Sequence, residues 1–147
     1  MTAAEASADL LLVDDDPAAL YALREMLSDL PVNLTLARSG EEALRQILKA
    51  DFALVMLDVR LPQMDGFEVA AAIRSLERTR RTPILFMSAN EDRRRRSRVE
   101  AAGEHYFRKP LMPDLVRAKI LELLGPLPLA EDLQPLSGPR TGSSTAA

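Results

Sequence analysis

The sequence predicts an α/β fold, a doubly wound five-stranded parallel sheet of strand order 2-1-3-4-5 with five helices. Apolar runs of strand length alternate with segments of helical periodicity, which is typical of successive βα units. The second and fifth strand segments carry polar residues, which suits the two edges of such a sheet. The chain has 147 residues, of which 47% are hydrophobic and 28% charged, and this composition fits one globular domain.

The composition excludes several classes of function. With no cysteine and a lone histidine, His105, the chain has no thiolate site, multi-histidine metal site or disulfide framework. The net charge of −3 argues against a protein built mainly to bind nucleic acid. No apolar run reaches the length of a membrane span, and the N-terminus lacks the pattern of a signal peptide. We therefore expect a cytoplasmic protein without membrane contacts.

Five strands are predicted in chain order. Unbroken apolar runs at residues 10–13, 54–57 and 84–87 indicate the first, third and fourth strands, covered on both faces. Residues 33–37 alternate between polar and apolar side chains, and residues 105–108 are half polar. These two segments are therefore predicted as the edge strands.

Helices separate the strands. Asp16 before Pro17 is the expected N-cap of the first helix, and capping boxes at Ser39 with Glu42 and at Asp65 with Glu68 open the second and third. The fourth helix, residues 90–102, is the least regular because it is mostly arginine. The apolar stripes of the first, second and fifth helices are Leu20, Leu23, Leu27 and Leu30; Ala43, Leu44, Ile47 and Leu48; and Val116, Ile120 and Leu123.

The folded unit is predicted to span residues 9–124. Residues 1–8 are expected to form a disordered lead, and residues 125–147 a Pro/Gly/Ser-rich tail or linker. Such a tail is too short for an output domain. The sequence leaves open whether the chain is a stand-alone domain or a piece of a longer protein.

Polar residues follow four of the predicted strands directly: Asp14 and Asp15, Asp58, Ser88 and Lys109. The carboxyl ends of parallel strands meet at one edge of the sheet, where this architecture binds ligands. Three converging carboxylates repel one another unless a cation joins them, and Mg²⁺, with Mn²⁺ as a substitute, takes such oxygen ligands. Lys109 and Ser88 suit the oxygens of a phosphoryl group. The five residues therefore predict a site for phosphoryl transfer.

Four motifs in the same order resemble the receiver domain of two-component response regulators. They are Leu-Leu-Leu-Val-Asp14-Asp15-Asp16-Pro17, Leu57-Asp58 with Pro62 and Asp65-Gly66, Met87-Ser88-Ala89, and Tyr106-Phe-Arg-Lys109-Pro110. The resemblance covers residues 9–124 and implies a flavodoxin-like receiver fold. It also implies a phosphoacceptor signalling domain with autocatalytic phosphotransfer and slow autodephosphorylation, rather than a turnover enzyme.

The resemblance implies a role for each site residue. Asp58 would be the phosphoacceptor, and Lys109 would neutralise charge on the transferring group. Asp15, Asp58 and the backbone carbonyl of Arg60 would hold Mg²⁺, with Asp14 contacting the ion through water. The peptide bond after Lys109 would be cis.

The resemblance further implies a switch. Ser88 would move to bond the phosphoryl group, and Tyr106 would rotate into the vacated space. Arg60 and Asn90 occupy the variable positions that tune phosphoryl lifetime in this family, in a direction that the sequence leaves open. The output face formed by the fourth helix, fifth strand and fifth helix would include Arg93, Arg96, His105 and Tyr106.

The expected phosphodonor is a phosphohistidine on a sensor histidine kinase or histidine phosphotransfer protein. The downstream protein target is not specified by the sequence, and a phosphorylation-dependent homodimer is compatible with the output face. The run Arg93 to Arg96 is either a solvated helix surface or a docking surface for an acidic partner. Direct binding to nucleic acid is not expected, since the run has no interleaved aromatic residues.

Two other functions compete with this interpretation. One is an interaction module that works without phosphorylation. The other is an aspartate-nucleophile phosphatase, in which Asp14 would be the nucleophile and Asp16 the acid. Ala18 stands where that class usually has Thr or Val, and no paired acidic motif closes a later strand.

Overall fold

The structure is a computed structural model that describes residues 7–89, 93–101 and 104–125, with the side chains of Arg95 and Ala101 left out. In these ranges five strands alternate with five α-helices, and a short 3-10 turn, Glu77–Thr79, follows the third helix. The strands are β1 (Ala8–Val13), β2 (Val32–Ala37), β3 (Leu54–Asp58), β4 (Ile84–Ser88) and β5 (His105–Arg108). The helices are α1 (Pro17–Met26), α2 (Gly40–Lys49), α3 (Gly66–Ser75), α4 (Arg93–Ala101) and α5 (Pro113–Leu124).

The strands form one parallel sheet in the order β2-β1-β3-β4-β5, which confirms the predicted topology. The two strands with polar residues, β2 and β5, lie at the edges, whereas every residue of β3 and β4 is buried. Each crossover between parallel strands runs through a helix, so both faces of the sheet are covered.

The core consists of two apolar layers, one on each face of the sheet. Successive residues of a strand point to opposite faces, so Leu11 and Val13 belong to one layer and Leu10 and Leu12 to the other. Ala43 and Ile47 of α2 pack in the first layer. The second layer receives the apolar residues of α1 and α5, namely Leu20, Leu23, Val116 and Ile120. This packing is the main reason that the strand ends are held in fixed positions.

Two helix caps form as predicted. The Asp16 carboxylate accepts a hydrogen bond from the Ala18 amide at 3.0 Å, and Pro17 opens α1. A reciprocal capping box links Asp65 and Glu68 at the start of α3.

The predicted capping box at Ser39 is only half correct. The Ser39 hydroxyl accepts from the Glu42 amide, but the Glu42 carboxylate accepts from the amide of Arg38 rather than from that of Ser39. The Glu42 side chain thus ties down the residue that directly follows β2.

The predicted stripe of α2 is wrong at Leu48, whose side chain is 70% exposed. Of the predicted stripe, Ala43 and Ile47 are buried and Leu44 packs against the core partly buried, because α2 is rotated so that Leu48 faces away from the sheet. Leu30 lies beyond the end of α1, but it still packs against the second core layer.

Several predictions concern residues outside the described part of the chain. These are Asn90, most of the lead (residues 1–6) and most of the tail (residues 126–147). Strand β1 starts at Ala8, one residue before the expected start of the folded unit. Among the described residues, no helix is both long and apolar enough to cross a membrane.

Candidate functional site

Three carboxylates converge at the carboxyl edge of the two central strands β1 and β3. Asp14 follows β1, and Asp58 is the last residue of β3. The two strands pair in parallel with Val13 opposite Leu57, so the register brings Asp14 and Asp58 side by side. Carboxylate oxygens of Asp14, Asp15 and Asp58 all lie within 4.8 Å of one another. Asp14 and Asp58 are buried, whereas Asp15 is exposed to solvent.

Lys109 closes this cluster from the other side. Its ammonium group lies 2.6 Å from Oδ2 of Asp14 and 3.0 Å from Oδ2 of Asp58. The backbone amide of Lys109 donates to the carbonyl of Ser88 at 2.8 Å, which continues the pairing of β4 and β5 past the last residue of β5. The Lys109–Pro110 bond is cis, as expected. The lysine is therefore held at its backbone as well as at its charged end.

Backbone amides fix the orientation of both buried carboxylates. Oδ1 of Asp58 accepts from the amide of Arg60 at 2.9 Å, and Oδ1 of Asp14 accepts from the amide of Asp16 at 3.0 Å. In each case Oδ1 faces a backbone donor two residues later, and Oδ2 faces Lys109. This arrangement leaves each carboxylate little rotational freedom.

Gly66 allows the loop after β3 to return close to Asp58. A Cβ atom added at Gly66 would lie 2.4 Å from the backbone oxygen of Asp58 and 2.9 Å from Cα of Val59. The Gly66 amide also donates to the carbonyl of Val59 at 2.8 Å. Only a residue without a side chain fits here, so Gly66 supports the backbone that carries Asp58.

Burial and charge shift the pKa values of Asp58 and Lys109 in ways that reflect this geometry. Burial raises the pKa of Asp58 above 3.8; the amide of Arg60 and the ammonium of Lys109 oppose the shift, and the nearby Asp14 adds to it. Burial also acts to lower the pKa of Lys109. Hydrogen bonds to Asp14 and Asp58 outweigh this effect and raise it above 10.5.

The donor set fits a hard divalent cation. Asp14, Asp15 and Asp58 supply carboxylate oxygens, the ligand type that Mg²⁺ prefers, and two of these carboxylates are buried. Within the described residues, Lys109 is the cation that forms ion pairs with Asp14 and Asp58, so this pairing balances one of the three negative charges. A second cation at this edge would relieve the remaining repulsion.

The two predicted switch residues lie on the neighbouring strands β4 and β5. Ser88 is the last residue of β4 and is buried. Tyr106, in β5, is 9% exposed and belongs to the first core layer. The guanidinium group of Arg96 lies 5.5 Å from the centroid of the Tyr106 ring and also bonds Glu100 at 3.3 Å. This arginine of the predicted run is therefore in contact with β5 rather than only with solvent.

The two other predicted output-face residues are Arg93 and His105. Arg93 is exposed at the start of α4, and His105 opens β5, where it lines a small cavity with Lys119 of α5. The side chain of Arg60 is exposed next to the site.

Sequence reasoning missed three features of the site: the direct pairing of Lys109 with Asp14, the close approach of Gly66 to Asp58, and Arg38. Arg38 follows β2 directly, and its Nη2 lies 3.5 Å from the backbone carbonyl of Asp15. The prediction considered polar residues after the first, third, fourth and fifth strands only. Applying the same rule to the second strand would have found Arg38.

The doubly wound sheet carries an acidic cluster and a lysine at the carboxyl ends of its strands, which is where open α/β sheets of this class bind their ligands. The family model described as the response regulator receiver domain matches residues 10–121. The chain belongs to this family, which confirms the resemblance of the four motifs, and its receiver domain is part of two-component signalling.

Individual relatives agree with this assignment. The signal transduction histidine-protein kinase BarA of Shigella flexneri is 29% identical over 103 residues, which are 69% of this chain and 11% of BarA. The chain thus spans about a tenth of that relative. The chemotaxis protein CheY4 of Vibrio cholerae superposes with a TM-score of 0.73 at 28% identity, covering 80% of this chain and 98% of CheY4.

A third relative bears on the acidic cluster. The receiver domain of the sensor histidine kinase PA1611 of Pseudomonas aeruginosa, solved with magnesium coordinated in its active site cleft, has a TM-score of 0.74 and 29% identity. The match covers 82% of this chain and 99% of that one. The cluster of Asp14, Asp15 and Asp58 in the present chain resembles a receiver magnesium site.

Proposed function

We propose that this chain is a phosphorylation-controlled switch in which Asp58 accepts a phosphoryl group. The observation that carries the proposal is the convergence of Asp14, Asp15, Asp58 and Lys109 at the ends of the central strands. Membership of the receiver family supports it. Asp14 is buried at the base of the cluster, and Asp15 is exposed at its solvent side, so the two carboxylates could approach one cation from different sides.

In the proposed reaction, an Asp58 oxygen attacks the phosphorus of a phosphohistidine on a partner protein. A P–O bond to Asp58 forms as the P–N bond breaks, and the imidazole leaves with the electron pair and takes up a proton. Lys109 already lies 3.0 Å from Asp58, where its ammonium group can follow a phosphoryl oxygen as negative charge moves onto the protein. Later attack by water on the phosphorus breaks the P–O bond to Asp58, releases inorganic phosphate and returns Asp58 to its carboxylate form.

Asp15, Asp58 and the backbone carbonyl of Arg60 would hold Mg²⁺ in this site, with Asp14 contacting it through water. When bound, the ion neutralises charge on the phosphoryl oxygens. The protein residues orient the acceptor: the amide of Arg60 holds Oδ1 of Asp58, and Lys109 holds Oδ2. This arrangement supports direct attack without large movement of Asp58.

The proposed output uses Ser88 and Tyr106. Ser88 moves toward the phosphoryl group, and Tyr106 turns into the space that this movement opens, which alters the face made by α4, β5 and α5. Arg93, Arg96 and His105 lie on or beside that face. Arg60 and Asn90 are proposed to set the phosphoryl lifetime. The partners are a sensor histidine kinase or histidine phosphotransfer protein, and a downstream protein.

The test is the intact mass of the protein after incubation with acetyl phosphate and magnesium chloride. The wild type is expected to gain one acid-stable, base-labile phosphoryl group, and Asp58→Asn none. Asp29→Asn, at an exposed aspartate just after α1, is the matched control and is expected to be labelled like the wild type. Equal labelling of Asp58→Asn would overturn the assignment of the acceptor.

Beryllofluoride binding separates a short lifetime from a lack of chemistry. If no adduct accumulates but beryllofluoride with magnesium binds the wild type and not Asp58→Asn, the site is intact and clears its phosphoryl group quickly. If neither occurs, the chain is an interaction module that works without phosphorylation.

A further inference from the structure

We infer that Arg38 is a positioning residue of this site, one that draws anionic phosphodonors toward Asp58 and weakens the binding of the divalent cation. The inference rests on the proposed function and adds a residue to it. Its basis is the position of the Arg38 guanidinium group, which lies 3.5 Å from the backbone carbonyl of Asp15.

Arg38 is held in this place by its backbone. It follows Ala37, whose carbonyl accepts a hydrogen bond from the amide of Asp14 at 3.1 Å. The amide of Arg38 itself donates to the carboxylate of Glu42 at 2.8 Å. The start of the side chain is thus fixed on both sides, and the guanidinium group reaches over the turn that carries Asp14 and Asp15.

The sheet order places Arg38 and Lys109 on opposite sides of the acidic cluster. Arg38 follows β2, which lies on the outer side of β1, and Lys109 follows β5, which lies beyond β3 and β4. The cluster is therefore flanked by a cation from each edge strand. Lys109 is partly buried and paired with two carboxylates, whereas Arg38 is exposed.

The Arg38 guanidinium group lies beside the acidic cluster without a direct ion pair. Among the described residues no carboxylate pairs with it; the carboxylate of Glu42 accepts from the backbone amide of Arg38, and the guanidinium group contacts the backbone carbonyl of Asp15. A positive charge in this position has two consequences of opposite sign. It repels a divalent cation bound by the carboxylates, and it attracts a dianionic donor approaching Asp58.

These opposite signs distinguish the inference from a purely structural role. Loss of a structural contact would weaken both cation binding and phosphorylation. Loss of the charge alone should tighten the binding of the cation and slow phosphorylation at donor concentrations below saturation. Because the group is exposed, each effect should be about two- to fivefold, the size expected for one charge acting mostly through water. Both effects should nearly vanish at a salt concentration of about 1 M, where the Debye screening length is about 3 Å.

The experiment compares wild type, Arg38→Gln, Arg38→Lys and a control, Arg81→Gln. Arg81 is exposed and precedes β4, so it lies at the opposite edge of the sheet. Magnesium affinity is measured by calorimetric titration with magnesium chloride alone. Phosphorylation is measured as the rate of acetyl phosphate labelling in saturating magnesium, over a range of donor concentrations and in low and high salt.

Arg38→Gln is expected to bind magnesium about two- to fivefold more tightly and to need a correspondingly higher acetyl phosphate concentration, with an unchanged maximal rate. Arg38→Lys and Arg81→Gln should resemble the wild type. The inference is overturned if Arg38→Gln changes neither property, weakens both, or differs from the wild type equally in high salt.

The failure of the proposed function would be distinguishable from these outcomes. A wild type that is neither labelled at Asp58 nor able to bind beryllofluoride with magnesium overturns the proposed function and, with it, the role of Arg38 toward the donor. The magnesium titration still tests whether Arg38 weakens the binding of the divalent cation, because tighter magnesium binding by Arg38→Gln does not depend on phosphorylation.

Discussion

The ammonium group of Lys109 lies closer to Asp14 than to Asp58, with Nζ to Oδ2 distances of 2.6 and 3.0 Å. The lysine is thus anchored by the carboxylate that is not the proposed acceptor. In the proposed reaction, Lys109 would keep this anchor while Asp58 changes from a carboxylate to an acyl phosphate. Asp14 therefore contributes to the site by holding Lys109 in place as well as by its charge.

Replacing Lys109 is expected to destabilise the metal-free protein. Lys109→Ala leaves two buried carboxylates facing each other without a cation, which should lower the free energy of unfolding by about 2 kcal/mol. Excess magnesium should recover part of this loss, because the ion supplies positive charge to the same carboxylates. Urea unfolding with chelator and with magnesium measures both values.

Lys119→Ala is the control for this prediction, since the ion pair that Lys119 forms within the described part of the chain is an i,i+3 pair with the exposed Glu122. Its effect should stay below about 0.5 kcal/mol. The pKa of Lys109 is raised above 10.5. The contribution of Lys109 to the free energy of unfolding is therefore complete at neutral pH and is lost only as the pH rises through the raised pKa. Equal losses for the two variants would contradict the buried pairing.

The Asp58 carboxylate is expected to cost stability at neutral pH. Burial raises its pKa above 3.8, so the folded state holds the proton more tightly than the unfolded state does. This group therefore stabilises the fold only at low pH, and that contribution is lost as the pH rises through the raised pKa. Asp58→Asn should raise the free energy of unfolding at pH 7, in chelator, by on the order of 1 kcal/mol.

The gain from Asp58→Asn should shrink as the pH falls toward 3.8, where the wild-type carboxyl becomes protonated in both states. Urea unfolding across this pH range provides the measurement. Asp29→Asn, at an exposed position, should show no such dependence. An Asp58→Asn protein less stable than the wild type at pH 7 would show that the pairing with Lys109 outweighs burial.

Gly66→Ala is expected to distort the backbone beneath the proposed acceptor. The new Cβ would meet the backbone of Asp58 at 2.4 Å, and a backbone atom cannot move aside as a side-chain end can. The cost should be about 3 kcal/mol, with slower acetyl phosphate labelling of the folded fraction.

Gly40→Ala is the matched comparison. Its Cβ would meet Cγ2 of the buried Val69 at 2.8 Å and the backbone oxygen of Met64 at 3.1 Å, both looser contacts than the one at Gly66, so the cost should be smaller, about 2 kcal/mol, and labelling should be unchanged. Urea unfolding and intact mass give both readouts. A smaller effect at Gly66 than at Gly40 would contradict the importance of the close approach.

Arg74 is expected to contribute strongly to stability. It forms two bonds to the carboxylate of Glu104, at 2.7 and 2.8 Å, and also donates to the carbonyls of Arg80 and Thr82. Arg74→Met would leave a largely buried carboxylate unpaired and should cost about 3 kcal/mol by urea unfolding. Arg45→Met, which breaks only an exposed i,i+4 pair with Glu41, should cost less than about 0.5 kcal/mol.

Arg96 is expected to hold the ring of Tyr106 inward. A guanidinium group 5.5 Å from the ring centroid favours that position by about 0.5–1 kcal/mol, and Glu100 keeps the arginine in place. Arg96→Gln should therefore increase the outward population of Tyr106 about two- to fivefold. Acrylamide quenching of tyrosine fluorescence measures this change.

The chain has no tryptophan and only two tyrosines, so Tyr21→Phe isolates the signal of Tyr106. Arg94→Gln in the same background is the control, because Arg94 is exposed on α4. Quenching that is the same in both arginine variants would show that Arg96 does not restrain the ring.

Much of the fold was predictable because it depends on local patterns. Unbroken apolar runs identified β3 and β4, and mixed runs identified the edge strands β2 and β5, since each strand's environment is reflected in its own residues. Asp16 and Asp65 were predictable as caps for the same reason: a cap bonds residues two or three positions away.

Features that depend on how elements pack were not predictable in this way. Leu48 matches the stripe of α2 but is exposed, because the contact of a helix with a sheet is set by its rotation and not by its periodicity alone. Glu42 bonds Arg38 rather than Ser39, because the chain entering α2 comes directly from β2.

The order of βα units, the strand runs and the set of polar residues at the strand ends could all be predicted from the chain, because each is a property of neighbouring residues. Which of these residues touch depends on the packing of distant segments. Lys109 bonds Asp14 across 95 positions of the chain, and Gly66 approaches Asp58 closely enough to exclude a side chain. Such contacts depend on strand register and loop paths to within an ångström, and no local pattern encodes distances on that scale.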